Sequence, residues 1–175
     1  MLSPQSWAAH HEMDATTSAA LDAAIAGDHR EFGIDSVRVG NREVEVTEEI
    51  AQDLPFGKLL HFKKDIDTAQ PPVLIVAPLS GHFATLLAGT VRVMLRDHDV
   101  YITDWVNARD VPQSAGRFGV EEYVDYVIRF LEEIGPGGNV LAVCQPCVQT
   151  LIAVSVMSSA NNPATPRTMT LMEGP

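Results

Sequence analysis

The chain has 175 residues, with 12 Lys and Arg against 23 Asp and Glu, so its formal charge is −11 with histidines neutral. That length and a hydrophobic content of 46% suit one domain with a buried core and exclude a disordered chain. A protein that grips a phosphate backbone needs a clustered basic face. With 6 basic and 13 acidic residues up to position 70, and 6 and 10 beyond it, neither part supplies one.

The opening Met1-Leu2-Ser3-Pro4-Gln5-Ser6 lacks the basic stretch and apolar run of a secretory signal. The most apolar stretch, Val140 to Met157, is interrupted by Gln145, Pro146, Gln149 and Thr150. It predicts a buried strand and helix rather than a membrane span. Two cysteines do not make a disulfide framework, so a reducing cytoplasm is the expected compartment.

Residues 1–35 form an N-terminal segment with a predicted helix around Ser18 to Ile25 that stops at Gly27. Over 36–70, valines 37, 39, 44 and 46 alternate with polar residues around Gly40-Asn41, the period-two pattern of a β-hairpin closed by a tight turn. Phe56 to Phe62 is a further strand. Glu43, Glu45, Glu48 and Glu49 read as a solvated face. After Pro71-Pro72 the pattern becomes strand–helix alternation over 71–175. Val73 to Ala77 is continuously apolar, as a strand covered on both faces must be. Phe83, Leu86, Leu87, Val91 and Met94 follow at helical spacing.

Val100 to Ile102 predicts the next strand, running into Thr103-Asp104-Trp105, and Val120 to Ile134 the next helix. Glu121 and Glu122 complement the dipole in that helix's first turn, and Gly135-Pro136-Gly137-Gly138 stops it. Val140 to Val143 is a third strand, Pro146 to Met157 a nearly all-apolar helix, and Thr168 to Met172 a fourth strand. Strands alternating with helices predict an α/β fold with a mostly parallel sheet and flanking helices.

The chemistry concentrates where the third strand meets its helix. Cys144 stands where a buried strand turns sharply into a buried helix, the placement of a nucleophile elbow. The small residues usual two positions either side are here Ala142 and Pro146, so the motif reads A-x-C-x-P rather than G-x-S-x-G. Proline suits the start of a helix because its missing N–H would have no partner there. A helix N-terminus also favours a thiolate. The N–H of Gln145 is the first oxyanion donor this geometry calls for. The second is expected from the loop after the first parallel strand, Ala77-Pro78-Leu79-Ser80-Gly81-His82-Phe83, with Leu79 and Ser80 as candidates. Gly81 allows close backbone approach, and His82 is a possible site-lining residue. His98, between Asp97 and Asp99, reads as an exposed turn. His10-His11-Glu12 lacks the i, i+4 spacing of a metal-binding helix, and neither metal nor cofactor is assigned.

Several stretches together resemble the intracellular poly(3-hydroxybutyrate) depolymerases: Ala77-Pro78-Leu79-Ser80-Gly81-His82-Phe83-Ala84-Thr85-Leu86-Leu87, His98-Asp99-Val100-Tyr101-Ile102-Thr103-Asp104-Trp105, Asp110-Val111-Pro112-Gln113-Ser114-Ala115-Gly116-Arg117-Phe118-Gly119, and Ala142-Val143-Cys144-Gln145-Pro146. Met169 to Pro175 resembles the next strand of that family. The resemblance implies an α/β-hydrolase fold, of which 71–175 is the first half of the core. It implies a cysteine nucleophile at Cys144, and a substrate, poly(3-hydroxybutyrate) or its oligomers, stored in cytoplasmic granules with which the protein associates. Cys147 departs from the family pattern, which has a small aliphatic residue there. In this fold the order is nucleophile, acid, histidine, so the acid and the histidine are expected beyond Pro175 and the chain alone is expected to be inert.

Two other classes fit parts of the sequence. Cys144-Gln145-Pro146-Cys147 is a C-x-P-C motif opening a helix after a strand, as in thioredoxin-like dithiol oxidoreductases. Against this, about 140 residues and two strand–helix units precede it. A nucleotide site with Asp104 as the ribose ligand would need a G-x-G-x-x-G turn, and the first turn reads A-P-L-S-G-H-F. A non-catalytic granule-associated fragment is the remaining alternative.

Overall fold

The computed structural model describes residues 32–79 and 84–174; the predicted helix at Ser18 to Ile25 lies outside them. The described elements all belong to one unit, Glu31–Pro175. In chain order they are β1 (Ser36–Val39), β2 (Arg42–Leu54), β3 (Gly57–Lys64), β4 (Pro72–Val76), a 3-10 turn (Ala84–Leu87), α1 (Ala88–Met94), β5 (Asp99–Trp105), a second 3-10 turn (Gln113–Ala115), α2 (Val120–Ile134), β6 (Asn139–Val143), α3 (Cys147–Ser159) and β7 (Thr168–Met172).

The seven strands form one sheet in the order β1-β2-β3-β5-β4-β6-β7. The hairpin forms at the expected place, with Val39 opposite Arg42 and Gly40 at φ +59°, a conformation that glycine adopts without strain. A second hairpin joins β2 to β3, and β3 pairs antiparallel with β5. From β5 to β7 every neighbour is parallel.

Period two along the central strands builds two cores. Val73 and Ile75 face one side with Val91, Leu95, Val100 and Ile102, and α1 covers that face. Leu74 and Val76 face the other with Val127, Phe130, Leu131 and Met157, under α2 and α3. This is why β4 is apolar at every position.

Three features differ from expectation. The helix after β4 begins as a 3-10 turn over Ala84–Leu87, which leaves Leu86 exposed; Phe83 lies outside the described residues. His98 is half-buried, with its Nδ1 enclosed and unpartnered, because its carbonyl accepts from the buried ammonium of Lys64. The apolar helix α3 is buried only along Cys147, Thr150, Ala153 and Met157; Val148, Leu151, Ile152 and Val156 face outward, as do Leu171 and Met172 of the edge strand β7. Among the described residues no helix is long and apolar enough to cross a membrane.

Candidate active site

The strand order places the site. From β4 the chain crosses to β5 on one side, whereas from β6 it crosses to β7 on the other. The two adjacent strands β4 and β6 therefore flank a topological switch point, and the crevice beyond their C-terminal ends is where open α/β sheets bind ligands. Val76 lies opposite Ala142, so the loop after β4 and the elbow after β6 leave the sheet side by side.

Cys144 occupies that crevice. Its φ is +67°, a left-handed conformation that a side chain bearing a Cβ adopts only where the surroundings impose it. Here they do: the Cys144 N–H donates to the Met172 carbonyl at 2.7 Å, and its carbonyl accepts the Cys147 N–H at 3.1 Å. Ala142 behind it is fully buried, and Pro146 caps α3, which starts at Cys147. The side chain of Cys144 is exposed. Among the described residues the Gln145 N–H, the first expected oxyanion donor, has no hydrogen-bond partner.

The neighbouring loop is held from behind. Ala77 N–H donates to Thr103 Oγ1 at 2.9 Å, the Trp105 indole N–H donates to the Ala77 carbonyl at 2.9 Å, and the Tyr123 hydroxyl approaches the same carbonyl at 3.5 Å. Burial pushes the Tyr123 phenol far up, which keeps it a neutral donor. Two residues on, the Leu79 N–H donates to Gln145 Oε1 at 3.2 Å. Leu79 and Gln145, both expected to donate main-chain N–H groups, are therefore adjacent through the Gln145 side chain; Ser80, Gly81 and His82 lie outside the described residues.

Sequence reasoning missed Thr103, Trp105 and Tyr123. The available signal was a threonine and a tryptophan two positions apart in the strand Asp99–Trp105, hence on one face of it. Trp105 also depends on Gly57: a Cβ there would lie 2.7 Å from Trp105 Cε3. Gly57→Ala is therefore expected to push the indole off Ala77. A cost of about 1–3 kcal/mol, typical of overpacking, should appear in urea unfolding, together with a changed Trp105 fluorescence.

The two thiols are not equivalent. Cys147 is 4% exposed, its Sγ lies 3.5 Å from the carbonyls of Ala142 and Met172, and Gly174 passes so close that a Cβ there would come within 2.8 Å of the Cys147 Cβ. The described histidines are remote from Cys144. His61 Nε2 is 2.8 Å from Asp99 Oδ1 and its ring stacks on Tyr101 at 4.1 Å. Asp99 is level with Pro72, and Val73 with Asn139, so this pair and His98 sit roughly 20 Å down the sheet from the elbow at ~3.3 Å per residue. Burial and the neighbouring Asp99 push the Tyr101 phenol up to about 12. Among the described residues no three His, Cys, Asp or Glu side chains gather as a metal site.

Sheet order, crossovers and elbow define the α/β-hydrolase fold. Solved structures agree. An esterase from Rhizomucor miehei superposes with a TM-score of 0.54 at 14% identity over 99% of this chain and 58% of its own. Brefeldin A esterase, a bacterial homologue of human hormone-sensitive lipase, superposes with a TM-score of 0.50 at 13% identity over 87% of this chain and 45% of its own. The chain thus spans about half the length of the structures it matches. No family model and no curated protein matches it.

Proposed function

We propose that the chain carries the nucleophile half of a carboxylic ester hydrolase that works through a cysteine. The observation that carries this reading is the exposed Cys144 at φ +67°, beside the Leu79 N–H and a Gln145 N–H that has no partner among the described residues. In this reading the Cys144 thiolate attacks an ester carbonyl, and the carbonyl π pair moves to oxygen, where the two amide donors stabilise it. Collapse of the tetrahedral species expels the alcohol and leaves a thioester, which water then cleaves. The base that activates that water, and the acid that orients the base, are proposed to come from residues outside these 175. The outward apolar faces of α3 and β7 support this, since an apolar helix of this kind is ordinarily covered.

For substrate we propose poly(3-hydroxybutyrate) or its oligomers, on cytoplasmic granules; the support is the motif resemblance. The dithiol alternative is disfavoured by the two strand–helix units that precede the motif.

The test is acyl capture. Incubated with a p-nitrophenyl ester of 3-hydroxybutyrate, the chain is expected to release one equivalent of nitrophenol without turnover, with mass spectrometry placing the acyl group on Cys144. Cys144→Ala should carry none. Acyl transfer that survives Cys144→Ala, or an acyl group on another residue, would contradict the assignment.

A further inference from the structure

The Gln145 side chain makes a contact that the elbow does not require. Its Oε1 accepts the Leu79 N–H, one of the two donors on which the hydrolase reading relies; the other donor is the N–H of Gln145 itself. We propose that Gln145 is an oxyanion switch: its main chain supplies one donor, and its side-chain carbonyl occupies the other until the reacting oxygen displaces it. This inference rests on the hydrolase function proposed above and adds to it a resident occupant of the oxyanion site.

Relative acceptor strength explains how such an occupant helps rather than merely blocks. An amide oxygen is a better hydrogen-bond acceptor than an ester carbonyl, and Gln145 is tethered beside the donor. An unreacted ester therefore does not displace it. An oxyanion does, because its hydrogen bonds are charge-assisted and roughly twice as strong as neutral ones. The Leu79 N–H is thus released only as charge develops, which directs the interaction to the transition state rather than the bound ester. In the resting site the same contact satisfies an N–H on an exposed loop and holds Leu79 in line, while Thr103 and Trp105 fix Ala77 two residues earlier.

The test uses the full chain and n-propyl trifluoromethyl ketone labelled with carbon-13 at the carbonyl. The Cys144 thiolate adds to the carbonyl: the S–C bond forms and the π pair moves to oxygen, which carries the charge that sulfur gives up because the trifluoromethyl group makes the adduct hydroxyl acidic, with nothing oxidised or reduced. The hemithioketal oxyanion then occupies the position of the reacting oxygen, and carbon-13 NMR gives the affinity.

Gln145→Met keeps the length of the side chain without the acceptor, and Gln145→Glu makes the acceptor anionic. Each affinity is read against the same variant's rate with iodoacetamide, which builds no charge on oxygen. Gln145→Met is expected to bind the trifluoromethyl ketone about three- to tenfold more tightly than the native chain, and Gln145→Glu at least about threefold more weakly, a factor of three being about 0.7 kcal/mol. The Leu79 amide proton should move upfield in Gln145→Met.

Equal or weaker binding by Gln145→Met, or an unmoved Leu79 amide, overturns the switch while leaving the hydrolase function standing. Absence of any hemithioketal, in a chain whose Cys144 iodoacetamide still alkylates, overturns both. Should Gln145→Met fail to fold, Gln145→Glu decides: weakened binding supports the switch and unchanged binding overturns it.

Discussion

Iodoacetamide is expected to alkylate Cys144 of the native chain at least about a hundredfold faster than Cys147. The elbow presents Cys144 to solvent, so its rate should approach that of a free thiol in the same electrostatic surroundings. Cys147 has no such access. It lies on the inward face of α3 in the core formed with Val76, Val140 and Ala142, with the Ala142 and Met172 carbonyls within 3.5 Å of its sulfur and Gly174 against its Cβ. Reaction there requires α3 or the end of β7 to open. An opening of about 3 kcal/mol, well within the range of local unfolding, slows the reaction by roughly a hundredfold. Peptide mass mapping after brief labelling, with and without urea, measures the ratio. Comparable labelling of both cysteines in the folded chain would mean that the elbow is not formed as described.

Two chemistries share this motif. A dithiol couple needs its second thiol within reach of the mixed disulfide formed at the first. A thioester route needs one exposed sulfur with amide donors around it. The C-x-P-C spacing leaves both open, and a buried second thiol suits either; the strand order and the two strand–helix units before β6 favour the second.

How much of this was legible follows from the range of each interaction. β4, β6, β7 and α2 could be read residue by residue, because a run such as Val140-Leu141-Ala142-Val143 and the stop at Gly135, with φ +86°, are local signals. The elbow was legible too, since strand, nucleophile and helix are consecutive. The order of the strands was not: nothing in β3 says that it pairs with β5 rather than β4. That order is set by which helices cover which face, and it is what brings Leu79 beside Gln145 across 66 residues of chain. The outer face of α3 misled in the opposite direction, because apolar residues all round a helix predict burial, and Val148, Leu151, Ile152 and Val156 are uncovered within these residues.

Lys64→Met is expected to destabilise the chain by about 2–5 kcal/mol. Lys64 ends β3 only 9% exposed, and its Nζ donates to the Leu95 carbonyl at 2.6 Å, to the His98 carbonyl and to Gln70 Oε1. Carbonyls at a helix C-terminus lack intrahelical donors, and those after α1 point into the protein rather than to water. One ammonium satisfies three acceptors and complements the helix dipole. Methionine keeps the stem and strands the two carbonyls, at about 1–3 kcal/mol each. Part of that loss is offset because no charge need then be buried.

The pH dependence distinguishes this role from simple packing. Burial pushes the Lys64 ammonium below its ordinary 10.5, against the pull of Asp99 and Asp97. Between the lowered value and 10.5 the unfolded chain binds more protons than the folded one, so this group's contribution to stability rises with pH and is lost as pH falls through the folded value. The urea midpoints of the native chain and Lys64→Met should therefore diverge further near pH 10 than at neutrality, where a gap that stayed constant would assign Lys64 to packing alone.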